Sequence, residues 1–288
     1  MTNIRFAFYG TPERAVVALD ELEKHNLVPS LIITQPDRPQ GRSLALTPPP
    51  VKIWGLSRGI RVIQPEILDD VFKDELSRGA FDVAIVVAYG KILKEDVLAI
   101  PKKGSLNLHA SLLPKLRGAS PIETAILTDE RTTGATIILM DREVDHGPVL
   151  GSCETKVPTW PIVADQLATH IVRDGVRLLA TLLPEYLAGK LIPQPQDHEK
   201  ATYTQKIRKE DGRIDLRDDP WKNFLKWNAY YGWPGSYFFI DRGGKKIRVI
   251  IKEAVYENGQ FIPRILLPEG KKEMSALQFE QWQKSPTA

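Results

Sequence analysis

Apolar positions along this 288-residue chain fall into two periods, and the first hundred residues alternate between them. Ile4–Gly10 is a short apolar run ended by Gly-Thr-Pro, which predicts a strand. Pro12 then opens a helix, a position where its missing N–H costs nothing. Ala15, Val16, Leu19 and Leu22 give that helix an inner face, and Val28–Thr34 supplies a second strand. Strand, helix, strand in this order predicts a parallel sheet with helical crossovers. Val51–Arg58 reads as a helix, Arg61–Ile63 as a short strand, and Asp69–Arg78 as another helix. Phe81–Tyr89 is the most β-branched run in the chain, the pattern of a buried central strand. Ser105–His109 is the next strand, Pro121–Leu127 a helix with Pro in its first turn, and Thr133–Met140 a further strand. Ile162–Leu183 is amphipathic, with Leu167, Ile171, Leu178 and Leu182 predicted to face inward.

The pattern then changes. Leu191–Asp197 is polar and carries prolines, the composition of a semi-stiff linker. Trp221–Trp227 predicts one short helix and Tyr230–Gly235 a turn. Ser236–Ile240 and Lys246–Ala254 are strand-like, and short strands between Gly, Asn and Pro turns predict a small β-barrel. The expected fold is α/β: a Rossmann-like, mostly parallel sheet with helices on both faces, followed by an OB-like C-terminal barrel. The expected divisions are 1–189, a linker at 190–207, and 208–288.

Composition narrows the class. An apolar content of 42% with 26% charged residues fits a globular protein with an adequate core. A single cysteine, Cys153, excludes a disulfide framework and any Cys-based zinc site. The five histidines show no metal-ligand spacing, so no metal is expected. Val83–Ala88, the longest apolar run, is far too short to span a bilayer. The N-terminus lacks a basic region followed by a long apolar stretch, so a cytoplasmic protein is expected; a monomer is expected as well. Residues 201–288 carry 16 Lys+Arg against 11 Asp+Glu, whereas residues 1–200 carry 23 against 25. A basic C-terminal part on a near-neutral body suits a polyanionic partner.

Candidate chemistry concentrates in residues 105–118. Asn107 and His109 stand two apart on a strand, so their side chains share one face. An amide can donate to a developing oxyanion, and an imidazole can move a proton near neutral pH. Together they are half of an acyl-transfer site, although such a pair also serves as satisfied polar structure. The missing part is a carboxylate to orient the imidazole. Asp145 is the best candidate, in a turn rich in acids and Gly-Pro that follows an apolar run. Gly10-Thr-Pro is not a Gly-x-Gly-x-x-Gly fingerprint, so no dinucleotide site is indicated.

Asn107-Leu-His109, Ser111-Leu-Leu-Pro114, Arg117-Gly118 with Pro121-Ile122, and Asp145-x-Gly147 together resemble the folate-dependent formyltransferases, and within them those acting on methionyl-tRNA. The likeness extends over nearly the whole chain, from Phe8-Tyr9-Gly10-Thr11-Pro12 to Ala276–Trp282. It implies formyl transfer from 10-formyltetrahydrofolate to the amino group of initiator methionyl-tRNA, with Asn107, His109 and Asp145 catalytic. It implies a pterin pocket lined by Tyr89, Gly90 and Ile92, at the carboxyl end of a parallel strand where ligands settle in such sheets. Gly90 there lets the backbone approach a flat ring. Ser111, Leu112, Leu113 and Pro114 are implied as folate contacts, and Asp141 as an acceptor for the pterin's amide-like donors. The Pro-rich loop 35–50 resembles a probe for the tRNA acceptor end, with Arg38 and Arg42 contacting phosphate or the unpaired end. The family often places lysines after this Gly-Arg, where this chain has Ser43 and Leu44. Arg117 faces either the substrate's phosphates or a structural carboxylate, and His146 reads as a bystander. The C-terminal division is expected to bind tRNA. The alternatives are a sugar-nucleotide N-formyltransferase and a catalytically silent RNA-binding relative.

Overall fold

The structure is a computed structural model that describes residues 4–40 and 45–285. In chain order the elements are β1 (Phe6–Gly10), α1 (Glu13–Lys24), β2 (Leu31–Ile33), β3 (Arg38–Gln40), β4 (Ala45–Thr47), α2 (Pro50–Ser57) and β5 (Val62–Ile63). Then come α3 (Asp70–Arg78), β6 (Val83–Val87), α4 (Glu95–Leu98), β7 (Ser105–His109), α5 (Pro121–Leu127), β8 (Thr133–Leu139), β9 (Val149–Thr155) and α6 (Ala164–Leu187). The chain closes with α7 (Pro220–Ala229), β10 (Tyr237–Arg242), β11 (Lys245–Glu257), β12 (Gln260–Pro268), β13 (Met274–Ser275) and α8 (Ala276–Lys284).

Two compact units result. The first comprises Met1–Gly118, Thr132–Lys156 and Ala168–Tyr203; the second comprises Ala119–Arg131, Val157–Leu167 and Thr204–Ala288. In the first, a seven-stranded sheet runs β5-β2-β1-β6-β7-β8-β9. The strands from β5 to β7 are parallel, and β8 and β9 are added antiparallel. All five residues of β1 and of β6 are buried, as apolar runs are when helices cover both faces of a parallel sheet. One face packs Ala7, Tyr9, Ile33, Ala84 and Val86 against Phe72 and Leu76 of α3. Asp69 caps α3 by accepting from Phe72 N at 3.0 Å.

Three features depart from the sequence expectation. The Pro-rich loop holds a strand pair, β3 with β4 in antiparallel register. Pairing within so short a stretch needs no hydrophobic alternation, so periodicity does not reveal it. Gly151 and Ser152 give β9 no apolar alternation, and it forms the sheet's edge. In α6 the buried stripe is Ile171, Val172, Val176, Leu179 and Leu183, with Leu167 also buried. Leu178 and Leu182 are half-buried instead, because they lie over Gly151 of β9 at the flank of the stripe.

The second unit is built on a four-stranded antiparallel sheet, β10-β11-β12-β13. Phe238, Val249, Ile251, Leu266 and Phe279 form its core. Asp129 ties the earlier segments to α7, accepting from Trp160 Nε1 at 2.6 Å and Trp221 Nε1 at 3.1 Å. Among the described residues no helix is long and apolar enough to cross a membrane.

Candidate active site

The side chains of Asn107 and His109 leave β7 on the same face, as two-residue spacing requires. Asp145 reaches them from the loop between β8 and β9. Its Oδ1 lies 3.3 Å from Asn107 Nδ2 and 3.3 Å from His109 Nδ1. Its Oδ2 accepts from Gly118 N at 2.8 Å. The His109 and Asp145 side chains are 6% and 11% exposed, so this contact is largely withdrawn from water. Burial works to raise the Asp145 pKa, but the His109 hydrogen bond and charge, the Gly118 N–H and the Arg117 charge outweigh it. The carboxyl therefore titrates below the ordinary value. His109 Nε2 faces the carbonyl of Leu116 at 3.0 Å. Both ring nitrogens thus lie beside oxygen acceptors.

Backbone geometry places these groups. Asp145 sits at φ 52° and Leu116 at φ 59°, both in the left-handed region that non-glycine residues seldom occupy. Gly147 lets the carboxylate loop fold onto β8: a Cβ there would lie 1.9 Å from Leu139 O.

The remaining sequence candidates distribute as follows. The Tyr89 side chain is buried in the core, edge-on to Tyr9, and burial pushes its phenol up to about 12. Its carbonyl accepts from Thr11 Oγ1 at 2.8 Å and Gln35 Nε2 at 3.2 Å. Gly90 is exposed at φ 83°, and Ile92 is 78% exposed. Side-chain-free backbone beside an exposed apolar side chain, at the carboxyl end of β6, suits a flat heteroaromatic ring. Ser111 is buried and spends its hydroxyl on Lys115 O at 2.6 Å. Leu112, Leu113 and Pro114 are half-buried in the loop that Thr136 Oγ1 ties down by accepting from Leu113 N and donating to Ser111 O.

Asp141 is engaged by His146, whose Nδ1 lies 2.6 Å from Oδ2. The His146 ring stacks on His198 with centroids 4.1 Å apart. Arg38 is exposed and lies 3.6 Å from Glu66; Arg42 lies outside the described residues. Arg117 is turned into the protein, toward the segment around Gln196. It is buried, with Nε and Nη2 donating to Gln196 Oε1 at 3.2 and 2.6 Å and Nη2 2.9 Å from His198 Nδ1.

Gln196, Thr202 and His198 are the groups at this site that sequence periodicity does not flag. They fall in a polar, Pro-bounded segment that reads as solvated linker. Among the described residues no three His, Cys, Asp or Glu side chains gather as metal ligands would.

Residues 2–175 match the family model described as formyl transferase. The chain is 42% identical over 263 residues to the methionyl-tRNA formyltransferase of Chloroflexus aurantiacus, covering 90% of this chain and 83% of that protein. It is 38% identical over 290 residues to the methionyl-tRNA formyltransferase of Thermodesulfovibrio yellowstonii, covering 94% of each. The solved methionyl-tRNA formyltransferase of Clostridium thermocellum shares the fold, with a TM-score of 0.63 at 15% identity over 95% of this chain and all of that one.

Proposed function

Because this chain belongs to the formyl transferase family, we propose that it transfers a formyl group from 10-formyltetrahydrofolate to the amino group of initiator methionyl-tRNA. The observation that carries this is the convergence of Asn107, His109 and Asp145 on one cluster. The relatives named for this activity match across both compact units, which favours a tRNA substrate over a sugar nucleotide.

When bound, the folate supplies a formyl group on N10 that the methionyl amine attacks, with N10 leaving and taking up a proton. Gly90 and Ile92 would hold the pterin ring, with Leu112, Leu113 and Pro114 closing over it. Tyr89 would contribute through its backbone, since its ring belongs to the core, and Ser111 through the loop shape that its hydroxyl fixes. Asp141, seated by His146, would accept from the pterin's donors. Asn107 Nδ2 would donate to the formyl oxygen as charge develops there, a role worth about 10²–10³ in rate. His109 would hold or move the amine's proton at Nε2, the nitrogen turned away from Asp145. Substrate amine would replace the Leu116 carbonyl at that nitrogen. Asp145 would fix the ring's orientation.

Residues 1–189 would carry the chemistry, 190–207 would link, and 208–288 would bind tRNA, with Arg38 and Arg42 reaching phosphate or the acceptor end. A cytoplasmic monomer fits this role. The test is an assay with 10-formyltetrahydrofolate and either methionyl-tRNA or an amino-sugar nucleotide. Formylation of the methionyl-tRNA is expected; formylation of the sugar alone, or of neither, would overturn the proposal.

A further inference from the structure

We infer that Gln196, acting with buried Arg117, is a positioning residue that sets the geometry of Asp145. The inference rests on the formyl-transfer function proposed above. Gln196 is 8% exposed although its neighbours Pro195 and Asp197 are open to solvent. Its amide uses both ends. Nε2 donates to Asp145 O at 2.9 Å and to Gly147 O at 2.7 Å. Oε1 accepts twice from Arg117. One side chain therefore joins the backbone of the carboxylate loop to the guanidinium of the loop that follows β7.

The loop that follows β7 also contacts the His109–Asp145 pair directly. Gly118 N–H, next to Arg117, donates to Asp145 Oδ2, and the Leu116 carbonyl faces His109 Nε2. The segment carrying Gln196 is itself strapped to both loops. Val149 and Gln194 exchange backbone hydrogen bonds at 2.7 and 2.8 Å, and Arg117 N donates to Thr202 O at 2.8 Å. Leu116 N donates to Thr202 Oγ1 at 2.8 Å.

A left-handed residue such as Asp145 persists only where its surroundings over-determine it. Gln196 is the side chain that does so, by donating to the carbonyls of Asp145 itself and of Gly147. Arg117, 2% exposed, is the second anchor, and its charge helps hold the Asp145 carboxyl ionised. The segment thus does more than link: it is part of the frame of the site.

Two variants separate positioning from bulk structure. Gln196→Met removes donor and acceptor together but strands a buried guanidinium and risks unfolding. Gln196→Glu keeps an acceptor for Arg117 and replaces the two donations to the carboxylate loop with a carboxylate oxygen set against both carbonyls. Wild type, Gln196→Glu, Asp145→Asn and the double variant are compared in the full chain with methionyl-tRNA. Gln196→Glu is expected to lower kcat by about 10- to 100-fold, with KM for either substrate changed less than about threefold. In the Asp145→Asn background the same substitution is expected to cost less than about threefold, because residues acting as a unit are not additive. Unchanged kcat in a folded Gln196→Glu, or a full multiplicative loss in the double variant, would overturn the inference. So would failure of both Gln196 variants to fold, which would make Gln196 a folding residue. An inactive wild type would instead overturn the formyl-transfer function.

Discussion

Replacing Asp145 by Asn keeps the side chain's size and removes its charge. The carboxylate serves three donors, with Asn107 Nδ2 and His109 Nδ1 on Oδ1 and Gly118 N on Oδ2. An amide has one acceptor oxygen. If it serves Gly118, its NH₂ confronts the Asn107 amide; if it serves Asn107 and His109, its NH₂ confronts the Gly118 N–H. Losing one charge-assisted hydrogen bond costs about 1.5–3 kcal/mol. At about 1.36 kcal/mol per tenfold, that is a rate loss of roughly 10- to 100-fold. The amide also lets the His109 ring settle in the other tautomer, so the expected fall in kcat is about 10². The assay is steady-state formylation of methionyl-tRNA, with circular dichroism and urea unfolding to establish that the variant is folded.

Stability gives a second check on the same substitution. The Asp145 pKa is lowered in the folded chain, so its stabilising contribution is present above the ordinary value of 3.8 and is lost as pH falls through the lower folded value. The stability gap between wild type and Asp145→Asn should therefore be widest at neutral pH and shrink below 3.8. Turnover within threefold of wild type in a folded Asp145→Asn would refute the role given to this carboxylate. A gap that widened in acid would refute the sign of its pKa shift.

Other substitutions probe separate parts of the account. Asn107→Ala should lower kcat by about 10²–10³ with little change in folate binding, measured by steady-state kinetics beside equilibrium titration. Arg38→Glu should weaken methionyl-tRNA binding and reduce the salt slope of log K by about one, leaving folate affinity unchanged; filter binding at several salt concentrations reads both. Asp129→Ala should destabilise the chain by about 2 kcal/mol, because the indole N–H groups of Trp160 and Trp221 lose their acceptor. Its Tm should fall while kcat at 25 °C holds.

Much of the first unit was legible because its elements are apolar runs with clean borders. Ser105–His109 there, and Pro121–Leu127 in the second unit, have the bounds that their patterns predict. Asp69 marks the start of α3 as its capping chemistry suggests. Asn107 and His109 share a face because β spacing dictates it, and the structure brings Asp145 to them as its place in an acid-rich turn suggests. The rest depended on contacts between residues far apart in the chain. Gln196 lies 79 residues from Arg117 and 51 from Asp145, in a stretch whose polarity and prolines argue for solvent exposure. The partnership of Asp141 with His146 was hidden for a different reason: neither residue type declares, from sequence, whether it faces a ligand or a neighbour. Strand β9 escaped notice because it lies at the sheet's edge and lacks the alternation that marks half-buried strands.

The most direct measurement offers charged initiator and elongator methionyl-tRNAs together, with 10-formyltetrahydrofolate, and follows formyl-methionine on each. The account predicts rapid formylation of the initiator, little on the elongator, and loss of activity in Asp145→Asn. Wild-type protein that formylates neither tRNA would contradict it.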